Sequence, residues 1–206
     1  MRFYRLFFLL ATLLLFLSAR AQSNSVGIRN GRFIQLEHTF ARHIPLMIEH
    51  SMYSDKISRQ YFRLHAGYRQ EWLKNHLRLS GIAYWGSEHN GNYQDMGVFV
   101  SAGYDFGKKH EYLLQTTLNP HYDTGLKYKT CIGVLACLHV YRLASFCLEY
   151  TNLPEYRQSE NRIRTGVRLR LTHPEWGQLS VTPLVSIPVD ERYEKIRLHV
   201  DFAYLF

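Results

Sequence analysis

Four arginines stand on one side of a single run: Arg162, Arg164, Arg168 and Arg170 alternate with Ile163, Val167, Leu169 and Leu171. A guanidinium is planar, permanently charged and forked, so it grips carboxylates, phosphates and sulfates with two parallel hydrogen bonds. A ladder of such groups has two uses. Carboxylates can neutralise it in an ion-pair network, or it can offer charge to an anion moving along it. Carboxylates at Glu37, Glu49, Asp105, Glu149 and Asp201 could supply the pairing. Arg63, Arg69 and Arg197 alternate with apolar neighbours in the same way. The expected charge network therefore comprises Arg63, Arg69, Glu149, Arg162, Arg164, Arg168, Arg170 and Arg197.

A second set, Glu88, His89, Asp95, His121, Asp123, Glu155, Asp190 and Glu191, falls in polar breaks of the pattern. Histidines beside carboxylates are the material of acid–base hydrolysis or of a divalent-ion site. The same residue types also serve turns, for purely conformational reasons. His50 and Ser51 invite comparison with the lipid A deacylases, but that family separates its His and Ser by one residue and carries them in the C-terminal half. Here they are adjacent, so on a strand they point to opposite faces and cannot share a proton. The cysteines are three: Cys131, Cys137 and Cys147. An odd number cannot pair fully, although Cys137 and Cys147 flank a turn near 139–142 and would face each other if its centre is Tyr141-Arg142; buried free thiols are the other reading. No C-x-x-C pair, metal-type Cys/His cluster, glycine-rich phosphate loop or nucleophile elbow occurs, and no catalytic, cofactor-binding or metal residue is assigned.

These groups have to be positioned by something, and the chain opens with an address. Arg2 and Arg5 precede the apolar run 6–17, and Ala19-Arg20-Ala21 supplies small residues at the positions a signal peptidase reads. The reading is a signal peptide at 1–21 and one domain at 22–206. Loss of Arg2, Arg5 and Arg20 lowers the formal charge from +8 to +5. That balance does not call for nucleic acid, because no soluble basic face is present. The apolar run is shorter than the roughly 20 residues of a helical span, and a mean hydropathy of -0.26 argues against a helical membrane bundle.

Beyond residue 22 nearly every stretch alternates apolar and polar residues with period two, and aromatics at 15% favour strands. Phe62, Leu64, Ala66 and Tyr68 oppose Arg63, His65, Gly67 and Arg69. Val98, Val100, Ala102 and Tyr104 oppose Phe99, Ser101, Gly103 and Asp105, and Ala144, Phe146, Leu148 and Tyr150 oppose Ser145, Cys147, Glu149 and Thr151. Breaks at 30–31, 41–43, 54–59, 71–75, 86–92, 107–110, 119–125, 139–142, 154–160, 173–177 and 188–194 predict about twelve strands, or ten if the first, 25–29, is only an extended leader and one other break is miscounted. Those breaks alternate between shorter ones and slightly longer, more polar ones.

Size decides which face is inside. Eight strands already enclose an interior that side chains just fill, so about twelve with an apolar lining would leave a large void. The apolar face must then meet lipid, with the charged face lining the bore. At the end of the chain Ile196, Leu198, Val200, Phe202, Tyr204 and Phe206 alternate strictly and the last residue is aromatic. This resembles the C-terminal assembly signal of outer-membrane β-barrel proteins, with Phe202, Tyr204 and Phe206 as its aromatic members. Asn90-Gly91-Asn92-Tyr93 and Leu153-Pro154-Glu155-Tyr156 also look like loops of small proteins of that kind. The resemblance implies a closed, antiparallel, up-and-down transmembrane barrel in the outer membrane, with lipid and lipopolysaccharide around it and the barrel-assembly machinery as its partner during biogenesis. The expected function is a structural or narrow-pore protein with a charged lumen, open to a small anionic solute, and more a channel than an enzyme. The alternative is a lipid- or peptide-hydrolysing barrel enzyme working through the rim His, Asp and Glu residues.

Overall fold

The computed structural model describes residues 23–30, 32–51, 60–73, 76–107, 111–125, 127–141, 143–154, 156, 160–173, 177–190 and 195–206. The expected signal peptide at 1–21 lies outside them, as do Glu155 and Glu191. The described residues form twelve strands: β1 (Ser23–Arg29), β2 (Phe33–Phe40), β3 (Ile44–Ser51), β4 (Tyr61–Trp72), β5 (Leu77–Glu88), β6 (Gln94–Phe106), β7 (Tyr112–Asp123), β8 (Lys127–Tyr141), β9 (Ala144–Thr151), β10 (Arg162–His173), β11 (Gly177–Pro188) and β12 (Arg197–Leu205). Each pairs antiparallel with its sequence neighbours, and β1 pairs with β12, so the sheet closes on itself. The count is twelve, and the leader-like first segment is a strand.

Period two produces the two faces directly. On β7, Tyr112, Leu114, Leu118 and Tyr122 are exposed on the outer surface, while Leu113, Thr117, Asn119, His121 and Asp123 are buried within the barrel. The registers carry that parity around the wall, since Glu49 opposes Arg63, Arg63 opposes Gly86, and Gly86 opposes Asp95. The core of this molecule is thus polar. Fully buried side chains include Arg63, Glu49, Asn119, Asp95 and Asp123, whereas most exposed large side chains are apolar.

Ser25 to Ile28 pair with Leu205 to Phe202, and Asn24 exchanges both backbone hydrogen bonds with Phe206, at 2.9 Å each. Phe206 is therefore part of the closure.

One predicted break is shifted. Residues 119–125 read as a loop, yet β7 runs to Asp123 and β8 starts at Lys127, so the connection there is short. Pro120 is accommodated within β7 because Asn119 stands in for it. Between the Gly97–His121 and Val100–Leu118 pairs, where a proline offers no N–H, the Asn119 Nδ2 donates to the Val98 carbonyl (3.0 Å).

Candidate functional site

The barrel interior is the site. At the mouth carrying the connections after β1, β3, β5, β7, β9 and β11, charges are buried and paired. Arg29 of β1 forks onto Glu49 of β3 through Nη2 (2.9 and 3.0 Å) and Nε (3.2 Å), and Gln35 donates to the same carboxylate (2.7 Å). Arg63 of β4, 1% exposed, reaches Asp95 of β6 (2.6 Å) and lies 3.7 Å from Glu49. Its Nε donates to the Tyr61 hydroxyl (2.6 Å), which donates in turn to Asp95 (2.5 Å). The guanidinium also sits over the Tyr84 ring, 4.5 Å from its centre. Two glycines make the space: a Cβ on Gly86 would run into the Tyr61 hydroxyl and the Asp95 carboxylate, and one on Gly97 would lie 2.6 Å from the Tyr84 hydroxyl. Beside them the Tyr84 hydroxyl bonds to His121 Nδ1 (2.7 Å), and His121 Nε2 to Asp123 (3.0 Å).

Tyr156 lies over the same mouth. The connection from β9 to β10 carries Tyr156, whose hydroxyl donates to Glu88 of β5. Its ring packs 4.9 Å from Tyr61 and 5.3 Å from Tyr93. The Tyr93 hydroxyl, whose proton burial holds well beyond the ordinary range, donates to the Tyr156 carbonyl (2.9 Å). In the order of strands its partners on β4, on β5 and just before β6 lie three to six places from β9 and β10.

The arginine ladder behaves differently from its expected pairing. All four members lie on the inner face of β10, but the acidic residues are mostly engaged elsewhere. Glu37 pairs with Arg69 (3.2 Å), Asp105 with Arg78 (2.8 Å), and Asp201 accepts the Asn30 N–H (2.5 Å). Arg164 lies 3.7 Å from Glu149. Arg162 is buried against Glu160, Ser186 Oγ (2.7 Å) and the Lys195 carbonyl (3.1 Å), and Arg197 shares Glu160 (3.3 Å). Glu160, in the connection before β10, is a partner the strand pattern alone could not reveal. Arg168 and Arg170 remain half-buried with no ion pair among the described residues, close enough to repel each other.

The rim set is divided, although His121 and Asp123 bond to each other. Glu88, Asp95, His121 and Asp123 lie in strands with buried inward side chains, whereas His89 and Asp190 are exposed in connections. Ser51 is inward, with its Oγ accepting the Tyr61 N–H (3.2 Å), while His50 is on the outer face. Among the described residues no group of three or more His, Cys, Asp or Glu could hold a metal. Phe202, Tyr204 and Phe206 line the outer face of the seam.

A closed barrel of twelve antiparallel strands has counterparts among solved structures. Its fold resembles that of the KdgM porin. The KdgM porin in complex with disordered oligogalacturonate matches with a TM-score of 0.62 at 10% identity, covering 89% of this chain and 98% of that one. A second KdgM porin structure matches with a TM-score of 0.53 at 10% identity, covering 89% and 95%. No protein-family model and no curated protein matches the sequence. At this identity the likeness to the KdgM porin is one of fold, and the inner-face side chains have to be read from this chain itself.

Proposed function

We propose that this chain is an outer-membrane barrel forming a narrow, anion-preferring pore. One observation carries the reading: Arg168 and Arg170 project from β10 into the bore with no carboxylate paired to them among the described residues, while the other lumenal cations of the expected network are engaged. An unneutralised guanidinium pair lowers the energy of an anion and raises that of a cation passing beside it. Tyr156 and the buried network occupy much of the opposite mouth, so conductance is small.

The outer surface supports the membrane setting. Exposed Trp72, Tyr104, Phe106, Tyr112 and Phe206 lie towards one rim, and Trp85, Tyr122, Tyr128 and Tyr150 towards the other. Tyr112 and Tyr122 are ten residues apart on β7, which is about 33 Å along the strand and about 25 Å along the axis at a tilt of about 40°. That separation matches the apolar band of an outer-membrane barrel between its aromatic girdles. On this reading residues 1–21 direct export, Phe202, Tyr204 and Phe206 engage the assembly machinery, and lipid with lipopolysaccharide surrounds the wall. The solved KdgM porin holds oligogalacturonate, a polyanionic saccharide, and the solute class proposed here is likewise a small anion, acidic saccharides included.

Planar-bilayer recording tests this. Wild-type protein conducts weakly with a reversal potential favouring anions, and Arg168→Ser with Arg170→Ser removes the preference. A wide cation-selective wild-type pore, or a double variant with unchanged selectivity, overturns the proposal.

A further inference from the structure

We propose that Cys137 and Cys147 are a disulfide-forming pair on the inner wall of the barrel, an oxidative modification site; the inference rests on the envelope setting proposed above, where thiols meet an oxidising compartment.

The positions are set by one irregularity. The tight connection from β8 to β9 puts Tyr141 opposite Ala144, and counting back from there would set Cys137 against the outward-facing Leu148. A bulge between His139 and Tyr141 resets the register by one residue, so Cys137 stands directly opposite Cys147. The type of pair also follows. The Asn152 N–H donates to the Ile132 carbonyl (3.0 Å), which makes Ile132 and Asn152 a hydrogen-bonded pair. Hydrogen-bonded and non-hydrogen-bonded pairs alternate along an antiparallel ladder. Five steps on, Cys137 and Cys147 form a non-hydrogen-bonded pair, the kind whose Cα atoms are about 4.5 Å apart and whose side chains approach more closely. That spacing lies inside the range a disulfide spans, about 4.4–6.8 Å, without moving the backbone.

The surroundings suit a bridge better than two thiols with separate duties. Both are free, buried and packed together with Leu113 and Leu135, an apolar nest in an otherwise polar bore. Leu113 faces Cys137 from β7, and Gly166 faces Cys147 from β10, leaving space on that side. Cys131 is excluded by geometry. It lies on the same strand, six residues towards the other mouth, and faces Asn119 rather than a thiol.

The chemistry is thiol–disulfide exchange with a disulfide-carrying oxidant, an envelope dithiol–disulfide oxidoreductase or a small-molecule disulfide. One cysteine thiolate attacks a sulfur of the oxidant and expels a thiolate. The second cysteine attacks the mixed disulfide and releases the other thiol. The two cysteines lose two protons and two electrons, and the oxidant's disulfide becomes two thiols. The bridge then fastens the hairpin against which Arg168 stands, since Arg168 pairs in register with Ser145.

The test counts thiols. Full-length protein recovered from the outer-membrane fraction is denatured and labelled with a maleimide-polyethylene glycol, without and with prior reduction. The pair predicts one adduct per chain before reduction and three after. Cys131→Ser should give none and then two, and Cys137→Ser should expose both Cys131 and Cys147 without reduction. Protein refolded in detergent micelles with glutathione disulfide is labelled in parallel, which separates the two readings. A chain missing from the outer membrane that still bridges on refolding removes the location and keeps the pair. Three free thiols in the oxidised, refolded protein, or bridging through Cys131, overturns the pair.

Discussion

Replacing Arg63 with methionine removes the most deeply buried cation among the described residues while keeping the length of its stem. In the native barrel its side chain is 1% exposed and Asp95 is 0% exposed, at 2.6 Å. The two carboxylates it touches differ in what they would keep. Glu49 retains the fork from Arg29 and the Gln35 amide, whereas Asp95 retains the Tyr61 hydroxyl (2.5 Å). Asp95 therefore becomes a buried charge without its guanidinium, and breaking a buried pair from one side costs about 3–5 kcal/mol. Adding Asp95→Asn removes the stranded charge and should restore most of that loss, giving a coupling energy of at least about 2 kcal/mol, within the range for residues in direct contact. Equilibrium urea unfolding in lipid vesicles, followed by tryptophan fluorescence and by the difference in gel migration between heated and unheated samples, measures both variants. If Arg63→Met alone costs about 1 kcal/mol or less, as an exposed, solvated pair would, or if the double variant is no better than the single, the network is not a sealed structural element and the account of this mouth fails.

Tyr156→Phe deletes the hydroxyl that holds Tyr156 to Glu88. A hydrogen bond to a charged group contributes about 1.5–3 kcal/mol, so the population of chains with the mouth unobstructed should rise about tenfold or more, read as open probability in single-channel records. Leu118→Arg places a charge midway along the outer face of β7 and should cost about 2–4 kcal/mol, whereas Tyr128→Arg, at the edge, should cost about 1 kcal/mol or less; unfolding in vesicles compares them, and equal losses would show that this surface does not meet lipid. Deleting Phe206 removes its two backbone bonds to Asn24 as well as its ring, so heat-resistant, compact protein in the outer-membrane fraction should fall sharply, and unchanged recovery would remove the proposed role of the C-terminal aromatic.

The wall was legible because its rule is local. Each outward position has to be apolar and each inward one can be polar, so alternation in 162–171 and 196–206 identifies strands without knowledge of their neighbours. Apart from Glu149 beside Arg164, the partners inside were not legible, because which carboxylate meets which guanidinium depends on register and stagger around the whole circumference. The ladder on β10 shows this: Glu37, Glu49 and Asp105 have suitable chemistry, but they face Arg69, Arg29 with Arg63, and Arg78. Asn119, Pro120 and Asp123 carry turn chemistry, which predicts a loop. They sit in a strand because the Asn119 amide supplies the donor that Pro120 lacks, and because Asp123 accepts from His121 and from the Gly125 N–H (2.7 Å). Tyr156 could not be found from periodicity at all, since its partners lie three to six strands away.

The seam between β1 and β12 sets the tempo of folding. A hairpin such as β8–β9 joins residues about ten apart, which costs about 2 kcal/mol of chain entropy, whereas joining Ile28 to Phe202 closes a loop of about 174 residues at about 4.6 kcal/mol. Every neighbouring pair can zip in turn as the chain is delivered, but the β1–β12 contact joins segments far apart in the chain and has to wait for residues 202–205. Until then two strand edges offer bare N–H and C=O groups, each expensive to leave in hydrocarbon. Local zipping is therefore fast, closure is late, and the open sheet needs a surface to hold its edges until the circle is complete.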